Sequence, residues 1–552
     1  MTAVTTFTLQ TAPTRRPVRF QRWRTAFLLA WAGLVAVQAL LWLNAANVAA
    51  ALLVIAGGVS GIHVMARVAR LRAYPISTAM LLGYTLSYFL IPPVATLIEW
   101  KPLTYNLHHP VLDFTHAFVC HVALLLAHRL YRKSQWGMQL RLGVVNRVYR
   151  PMGLFHNLGN VQIMVMGGIG LCAMMYQVFV VGMITEGSGG ALNRIMQAMY
   201  PLAYLPYCLL VRPLIGAHSY LPLSLRWKLT LIAYTGVLAM VSIGSNSRAL
   251  VLIGTISVCL VMAYGFITRT LPMRLFRPRR LIIVGLLLAL MQGPVTDLAT
   301  SMVIARAQRN DVGASELISA TLDTMKNRDA IRDRLESDAN DNHETWDERY
   351  LDNLFLQRLA NMKFADATLD LALRQDASAR AELRTIEWQR VITVLPAPVL
   401  EALGIAVDKD FVTTSSAGDL MLFTVTGDTD ALGGFRTGSI FGTGYALFDW
   451  LYPGVLAILA FLTYALADAQ TTRRPLPARD ASPVRWVPVF SPLVVTRYYT
   501  WVFYLTSAAT GVDSMSGLTQ LILRGWIESA VIYTVVFWIS RVVVRAIGKG
   551  AS

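Results

Sequence analysis

Long apolar stretches constrain the fold of this chain more than any other feature. About twelve of them are apolar over roughly the 20 residues that a helix needs to cross the hydrocarbon core of a bilayer. Only 15% of the residues are charged, whereas soluble globular proteins carry about 25%. The composition therefore excludes an ordinary soluble enzyme and predicts an all-α, polytopic integral membrane protein. The stretches lie near residues 25–43, 47–65, 75–98, 112–128, 161–184, 195–211, 229–244, 249–268, 281–300, 446–468, 487–507 and 521–540.

The connections between these stretches alternate in charge, and this alternation predicts their orientation. Every second connection and both chain ends are basic, at 15–24, 66–72, 129–150, 212–228, 269–280, 473–485 and 541–549. The intervening connections hold few charges, at 44–47, 99–110, 186–194, 245–248 and 510–520. Because basic connections stay in the cytoplasm, we expect both termini to be cytoplasmic.

One long acidic segment interrupts this basic protein. Residues 301–445 hold 15 Lys+Arg and 23 Asp+Glu, a net charge of −8, whereas the rest holds 34 and 9, a net charge of +25. The segment follows the ninth stretch and is expected to face outward, which in a bacterium is the periplasm. Basic charge placed at connections is explained by topology, so nucleic-acid binding is not expected. The predicted organisation is a basic N-terminus (1–24), about nine membrane helices (25–300), the acidic domain (301–445), and about three helices with a basic tail (446–552).

The acidic segment is too long to be a structureless loop, so we expect it to be folded or docked. Ala314–Lys326, Arg328–Glu336 and Asp347–Arg390 are predicted to be helical, the last with an apolar stripe at near-helical spacing. Ser415–Gly444 is rich in Gly, Ser and Thr and is predicted to be a loop that returns to the membrane.

Motifs of soluble enzymes are absent from the sequence. It contains no phosphate-binding Gly-Lys-Ser/Thr loop, dinucleotide fingerprint, helical zinc-protease motif or nucleophile elbow. The four cysteines lie in apolar stretches and predict neither a disulfide framework nor a zinc site. We therefore expect no cofactor, no metal and no nucleotide, and an enzyme here would need a substrate that is already activated, such as one carried on a lipid.

The outward connection after the seventh stretch carries a candidate site. Ser242-Ile-Gly-Ser-Asn-Ser-Arg-Ala-Leu places Arg248 at the outer end of a helical hairpin. A guanidinium group among apolar residues is costly unless it is paired or functional, and its planar fork suits phosphate oxygens. Asn246 and Ser247 would add hydrogen bonds. The alternative is that Arg248 reaches the interface only to be hydrated.

Three elements resemble bacterial O-antigen and oligosaccharide repeat-unit polymerases (the Wzy-type family). The first is the Ser-Asn-Ser-Arg-Ala-Leu element at 245–250, and the second is Glu348–Asp366 in the outward segment. The third is Phe441–Gly454, which is similar to the segment where the family re-enters the membrane with an aromatic residue, Asp and then Gly. Trp450 departs from the family here, because a Gly is frequent at this position.

The resemblance implies an enzyme that transfers a growing glycan from undecaprenyl pyrophosphate to the next lipid-linked repeat unit at the outer face of the bacterial inner membrane. An acceptor hydroxyl would attack the anomeric carbon, and fixed arginines would stabilise the departing pyrophosphate without metal or nucleotide. The implied partners are this lipid-linked oligosaccharide, the membrane lipids, a chain-length regulator and a flippase.

Candidate residues follow from this combined reading. Arg248 and then Arg358 are the first choices for pyrophosphate contact, with His343 as the acceptor base. Arg349, Arg436 and Asp449 are further substrate-binding candidates, together with Asn246 and Ser247. Each has a plain alternative: Arg349 and Arg358 as a solvated helix face, Arg436 and His343 as loop residues, and Asp449 as the partner of an Arg.

Other polar residues have less specific interpretations. His108 and His109, near Lys101 and Asp113, form either a substrate or metal patch or an ordinary loop. Arg497 is either an intramembrane functional residue or a cytoplasmic anchor, depending on where the eleventh stretch begins. Arg524 and Glu528 are four residues apart and are predicted to pair with each other.

Three other functions are compatible with the sequence. An O-antigen ligase also uses a lipid-pyrophosphate donor but attaches the glycan to the lipid A core. A polysaccharide or lipid transporter would act without catalysis, and a scaffold of an export complex would only bind. The charge at the outer ends and the lack of a visible inverted repeat favour the polymerase over the transporter.

Overall fold

Helices make up almost all of the regular structure in a computed structural model of the chain. The only sheet in the described part is a two-stranded antiparallel hairpin, β1 (Thr471–Leu476) and β2 (Arg485–Phe490), with Thr471 opposite Phe490. The all-α class is thus confirmed. The structure describes residues 18–65, 67–181, 191–217, 222–245, 249–271, 298, 300–302, 304, 314–329, 346–434, 436–476, 485–506 and 512–549.

The α-helices of these ranges are numbered in chain order. They are α1 (Val18–Leu41), α2 (Ala45–Met65), α3 (Val68–Ala73), α4 (Pro75–Thr85), α5 (Ile91–Ile98), α6 (Pro110–Lys133), α7 (Gln135–Val144), α8 (Asn160–Tyr176), α9 (Ala191–Met199), α10 (Leu225–Gly244), α11 (Ala249–Ile267), α12 (Ala314–Lys326), α13 (Leu354–Leu359), α14 (Met362–Arg374), α15 (Ala377–Ile392), α16 (Ala397–Ala402), α17 (Lys409–Thr414), α18 (Ala417–Thr426), α19 (Ile440–Phe448), α20 (Tyr452–Ala469), α21 (Pro492–Thr496), α22 (Tyr498–Val502), α23 (Met515–Gln520) and α24 (Trp526–Lys549). Turns of π-helix cover Leu86–Leu90, Val145–Tyr149, Gln177–Val181 and Leu521–Gly525, and 3₁₀ segments cover Tyr200–Ile215, Thr429–Ala431 and Asp449–Leu451.

Nine helical segments in the described ranges are long and apolar enough to cross a membrane. They coincide with the first seven, the tenth and the twelfth of the predicted stretches. The protein is therefore an all-α polytopic membrane protein. The nine segments are Arg24–Leu41, Ala45–His63, Pro75–Ile98, Pro110–Lys133, Asn160–Val181, Leu192–Ile215, Leu225–Gly244, Ile440–Ala469 and Met515–Ala546.

The other three predicted stretches have different outcomes. The eighth forms α11, whose apolar part, Leu252–Ile267, is shorter than the nine. The ninth, 281–300, lies outside the described residues except for its last positions. The prediction of one continuous helix at 487–507 was wrong: the chain runs there through β2, α21 and α22. Pro492 begins α21, and the backbone breaks at Arg497, so no single helix forms.

The broken segment is packed inside the bundle rather than on its surface. Helix α22 packs against α4 and α11, and the backbone N–H of Tyr499 donates to Ser257 Oγ at 3.0 Å. Side chains of neighbouring helices thus satisfy part of the backbone that regular helices would satisfy internally. The close approach depends on Gly83 of α4, where a Cβ atom would lie 1.8 Å from the carbonyl oxygen of Val502.

Several basic connections are hydrogen-bonded to each other at one end of the bundle. Arg141 and Arg473 both donate to the carbonyl oxygen of Ala73, at 3.0 and 2.9 Å. Arg72 donates to the carbonyl oxygen of Thr268 at 2.7 Å, and Arg474 donates to that of Gly216 at 2.8 Å. These contacts group several of the connections that the charge pattern assigns to one side of the membrane.

The acidic segment contacts the connections that the charge pattern assigns to the other side. Tyr350 donates to the carbonyl oxygen of Leu103 at 2.7 Å, within the connection 99–110. Gln520 donates to the carbonyl oxygen of Arg390 at 3.2 Å, and the N–H of Ala417 donates to Asp513 at 3.1 Å. The described part of this segment is therefore docked onto the ends of the bundle helices.

Two predictions within the acidic segment need correction. The helix expected over Asp347–Arg390 is divided into α13, α14 and α15, with an extended stretch before them. Ser415–Gly444 is not all loop, because it contains α18 and the start of α19. Ser416 and Asp419 form a reciprocal capping box at α18, and Ser439 caps α19. Helix α19 also runs across the predicted boundary at residue 445.

We expect Gly83→Ala to destabilise the protein strongly, because a methyl group at this position collides with backbone that cannot move aside. Overpacking of this kind costs about 1–3 kcal/mol or more. Melting in detergent would measure the loss. Gly33→Ala in α1 is the matched control, since no atom lies within 4 Å of its Cβ position. Equal melting temperatures for the two variants would contradict the described packing.

Candidate functional site

A buried carboxylate joins the acidic segment to the bundle. Asp366 of α14 is fully buried and accepts hydrogen bonds from the backbone N–H groups of His108, at 2.8 Å, and His109, at 2.9 Å. Lys363, one turn earlier, lies 3.0 Å from Asp366 and also donates to the carbonyl oxygen of Asn106 at 2.6 Å. We call these two side chains and the backbone of 106–109 the docking hub.

Asp113 of α6 adds a second buried carboxyl group to the docking hub. Neither carboxyl oxygen of Asp113 has a hydrogen-bond partner in the described structure. An ionised Asp113 could only accept hydrogen bonds, whereas a protonated Asp113 can donate one to Asp366. Burial alone would raise the pKa of Asp366. The hydrogen bond from Asp113, the charge of Lys363 and the two backbone N–H groups outweigh burial and lower that pKa.

An ion-pair network extends from the docking hub toward solvent and includes Arg349. Lys101 lies 2.6 Å from Asp352 and 3.3 Å from Glu99, and Arg349 lies 2.8 Å from the other oxygen of Asp352. The hydrogen bond with Lys101 lowers the pKa of Asp352. Arg349 precedes α13 on an extended stretch, so it is not on a helix face, and its charge is engaged by a neighbouring carboxylate.

Arg436 is held by its own surroundings. Its backbone N–H and its Nη1 both donate to Asp419 Oδ1, at 3.1 and 3.2 Å, and Nη1 also donates to the carbonyl oxygen of Ala431 at 2.8 Å. Asp419 is fully buried at the start of α18. This arrangement favours a structural role for Arg436, which fastens the loop after α18.

Asp449 lies at the break between α19 and α20. Its backbone has a φ of +48° and a ψ of −146°, a conformation that L-residues rarely adopt. The side chain is exposed, and one oxygen accepts from the N–H of Trp450 at 2.8 Å. No ion pair of Asp449 with an Arg is present in the described part, so the carboxylate stays available to a ligand.

Several predicted site residues are outside the reach of the structure. Arg248, Asn246, Ser247 and His343 lie outside the described residues. The backbone of Arg358 belongs to α13, and its side chain is likewise outside the description. Their roles remain predictions.

His108 and His109 contribute their backbone N–H groups to the docking hub. His109 additionally places Nε2 3.1 Å from Asp370 of α14, and both side chains are partly exposed. Among the described residues, no group of three or more His, Cys, Asp or Glu side chains is arranged to hold a metal ion.

Two arginines lie near enough to Lys409 to act on its charge, although the three residues come from separate parts of the chain. Arg194 belongs to α9, Lys409 begins α17, and Arg524 lies in the π-helical turn before α24. Partial burial lowers the pKa of Lys409, and the nearby charges of Arg194 and Arg524 lower it further. We call these residues the cation cluster. The predicted pair of Arg524 with Glu528 is confirmed at 3.0 Å.

Sequence reasoning missed the cation cluster as a unit. The charge pattern did place Arg194 and Arg524 at outward ends, because they follow or flank the weakly charged connections. It carried no information that the start of α17 would come to the same place, since that depends on how the acidic segment docks.

Arg497 lies at the junction of α21 and α22, within the broken segment. Its Nη1 donates to Ser529 Oγ at 2.9 Å, and Ser529 is near the middle of the candidate span Met515–Ala546. A small cavity beside it is lined by Arg497, Trp501, Gly525 and Trp526 among others. This position favours an intramembrane residue over a surface anchor.

Comparisons with known proteins return no relative. No family model matches the chain, and neither the curated proteins nor the solved structures contain a similar one.

Lys363→Met should destabilise the protein by about 3–5 kcal/mol, the usual cost of leaving one member of a buried ion pair without its partner. Lys363 is 1% exposed, and its loss leaves Asp366 without its cation. Melting in detergent would measure the change. Lys326→Met is the control, because this lysine is exposed and pairs only with Asp323 at the surface. If the two variants melt alike, the docking hub contributes no stability.

Acid should weaken the docking hub in a defined direction. The pKa of Asp366 is lower in the folded than in the unfolded protein, so its contribution to stability is complete above the unfolded value of about 3.9 and is lost as the pH falls through the folded value. Melting temperatures between pH 7 and pH 3 would show a steeper acid decline for the wild type than for Asp366→Asn. Parallel curves would contradict this assignment.

Proposed function

We propose that this chain is a membrane glycosyltransferase that polymerises undecaprenyl-pyrophosphate-linked oligosaccharide repeat units into a surface or secreted polysaccharide at the periplasmic face of the inner membrane. The observation that supports it most is the cation cluster. Arg194 lies at the start of the candidate span Leu192–Ile215, Arg524 lies within the candidate span Met515–Ala546, and Lys409 comes from the docked segment. A pyrophosphate group anchored by its polyprenyl chain would lie at this same level.

The chemistry of the proposed reaction needs cations more than any other group. The acceptor hydroxyl oxygen forms a bond to the anomeric carbon of the donor, and the bond from that carbon to the pyrophosphate oxygen breaks. The electron pair leaves with the lipid pyrophosphate, and the hydroxyl proton passes to a base. Fixed guanidinium and ammonium groups that are poorly hydrated stabilise the charge that develops on the leaving group.

Cations that lie near one another repel, and a bound anion relieves that repulsion. Glu528 neutralises Arg524 in part, at 3.0 Å. Partial burial lowers the pKa of Lys409 most, and the charges of Arg194 and Arg524 lower it further. Binding of a pyrophosphate would relieve that repulsion, and this gain is a source of affinity that a purely structural cluster would lack.

The predicted arginines fit the same proposal. Arg248 follows α10 in the chain. Helix α12 of the acidic segment packs against α10. Arg358 belongs to α13 in the docked segment. Under this proposal the cation cluster holds the pyrophosphate, and Arg248 and Arg358 are further contacts of the donor or acceptor lipid.

Docking of the acidic segment has a role in this proposal as well. Glycosyl transfer between two lipid-linked substrates requires both to be held in one orientation, which lowers the entropic part of the barrier. The docking hub fixes α14 and the connection 99–110 to each other through buried hydrogen bonds. A fixed outer surface of this kind can position two substrates that each diffuse in the membrane.

We expect the double variant Arg194→Gln/Lys409→Gln to lose at least about 90% of polymer in a deletion strain complemented with it. Two charge-assisted contacts are worth more than the 1.4 kcal/mol that corresponds to a tenfold change. This design leaves the Arg524–Glu528 pair intact. Gel electrophoresis of the glycan, with protein levels measured in parallel, is the readout.

Lys326→Gln serves as the matched control, because it also removes one exposed cation of the acidic segment. The deletion strain itself should contain single repeat units in place of polymer. Polymer that persists on the lipid carrier in the deletion strain would contradict the proposal and favour a ligase. Repeat units that never reach the outer face in the deletion strain would favour a transporter. Normal polymer with the double variant would show that the cation cluster has no part in the mechanism.

A further inference from the structure

The break between α19 and α20 presents an aromatic ring in an unusual setting. Trp450 is 49% exposed, and its indole stacks on the fully buried ring of His116, with centroids 4.5 Å apart and planes at 12°. Tyr445 meets the indole at 5.8 Å in an edge-on arrangement. One face of the indole is thus covered and its orientation is set by two neighbours, while the remaining surface is open.

Two charged residues lie near this ring in the chain or through a backbone contact. The exposed carboxylate of Asp449 uses one oxygen for the N–H of Trp450 and keeps the other open. Arg384 of α15 is exposed and donates through Nε to the carbonyl oxygen of Leu447 at 3.1 Å. Its two terminal amino groups make no hydrogen bond within the described part of the chain. The residue before Trp450 thus offers an open acceptor, and Arg384, bound to the backbone three residues before Trp450, offers two donors.

We infer that Trp450, Asp449 and Arg384 form a subsite for a pyranose ring of the glycan. The axial C–H groups of a sugar carry partial positive charge and pack on the negative face of an indole. The hydroxyl groups at the edge of the same sugar both donate and accept hydrogen bonds, so they match a carboxylate and a guanidinium group. This inference rests on the proposed function only for the identity of the glycan.

The geometry of the chain supports a rigid subsite. Tyr452 OH lies 2.6 Å from His116 Nδ1, and Cys120 donates to the same hydroxyl at 3.3 Å, so the ring beneath Trp450 is itself fixed. The positive φ of Asp449 turns the chain sharply between α19 and α20, and its carboxylate accepts a hydrogen bond from the backbone N–H of Trp450. A preorganised platform loses little entropy when a ligand binds.

A second occupant of this surface is the lipid headgroup layer, where Trp side chains are common. Phe448 and Leu451 next to the platform are exposed and suit that layer. The charges of Asp449 and Arg384 and the stacked His116 favour the sugar. The test below separates the two occupants.

Saturation-transfer NMR on the full chain in phosphatidylcholine nanodiscs tests the subsite directly. The probes are the methyl glycosides of glucose, galactose, mannose, rhamnose and N-acetylglucosamine. We expect the wild type to saturate the ring protons of at least one probe. Trp450→Ala should reduce that signal at least about fivefold, because the stacking surface is lost, whereas Trp450→Phe should retain most of it because a ring face remains.

Two further variants act as controls. Trp388→Ala removes an even more exposed Trp of the docked segment and should leave the signal unchanged. Arg384→Gln should reduce the signal two- to threefold and leaves the aromatic stack unchanged. The subsite therefore remains testable even if Trp450→Ala does not fold. Saturation of no probe by the wild type, or equal signals for the wild type and Trp450→Ala, would overturn the subsite.

Two measurements separate this inference from its rivals. The fluorescence of Trp450 is the difference in fluorescence between the wild type and Trp450→Phe. If brominated phosphatidylcholine quenches this difference, the ring lies in lipid and the sugar subsite is overturned. In the complemented deletion strain, Trp450→Ala should shorten the polymer while Trp388→Ala does not. If polymer forms in the deletion strain, the proposed function fails while the NMR result stands. If polymer requires this protein but Trp450→Ala is normal in both assays, only the subsite fails.

Discussion

The buried hydrogen bonds of Asp366 are the interaction on which the docking of the acidic segment depends. An ionised carboxylate is tolerated away from water only when donors surround it, and here two backbone N–H groups and Lys363 supply them. Because the backbone donors come from the connection 99–110 and Lys363 comes from α14 itself, satisfying the charge requires the acidic segment to dock. The position of α14 then follows.

A second constraint acts within the bundle, where backbone groups have no water to bond with. The segment 491–506 departs from regular helix and is tolerated because it is enclosed by α4, α11 and the 3₁₀ segment Tyr200–Ile215. Its irregular path brings Arg497 to Ser529 inside the bundle. The glycine at position 83 makes the enclosure possible, so a position with no charge and no side chain decides where an intramembrane arginine lies.

The two proposed binding surfaces divide the chemistry of one substrate. The cation cluster suits the pyrophosphate of a lipid carrier, and the Trp450 platform suits the sugar that it carries. Both are completed by the docked segment, through Lys409 in the first and Arg384 in the second. Undocking would therefore separate the cations from one another and remove Arg384 from the aromatic platform. A single folding event thus assembles both surfaces.

The sequence alone determined the class of the protein and most of its spans, because apolar length and charge at connections act locally. Arg524 with Glu528 was predictable for the same reason, since four residues bring two side chains together on one helix. Only the tertiary structure decided that 487–507 would break, that Ser415–Gly444 would form helices, and that Arg194, Lys409 and Arg524 would converge. Those outcomes depend on contacts between residues far apart in the chain, where the burial of a carboxylate or the space beside a glycine outweighs local preference.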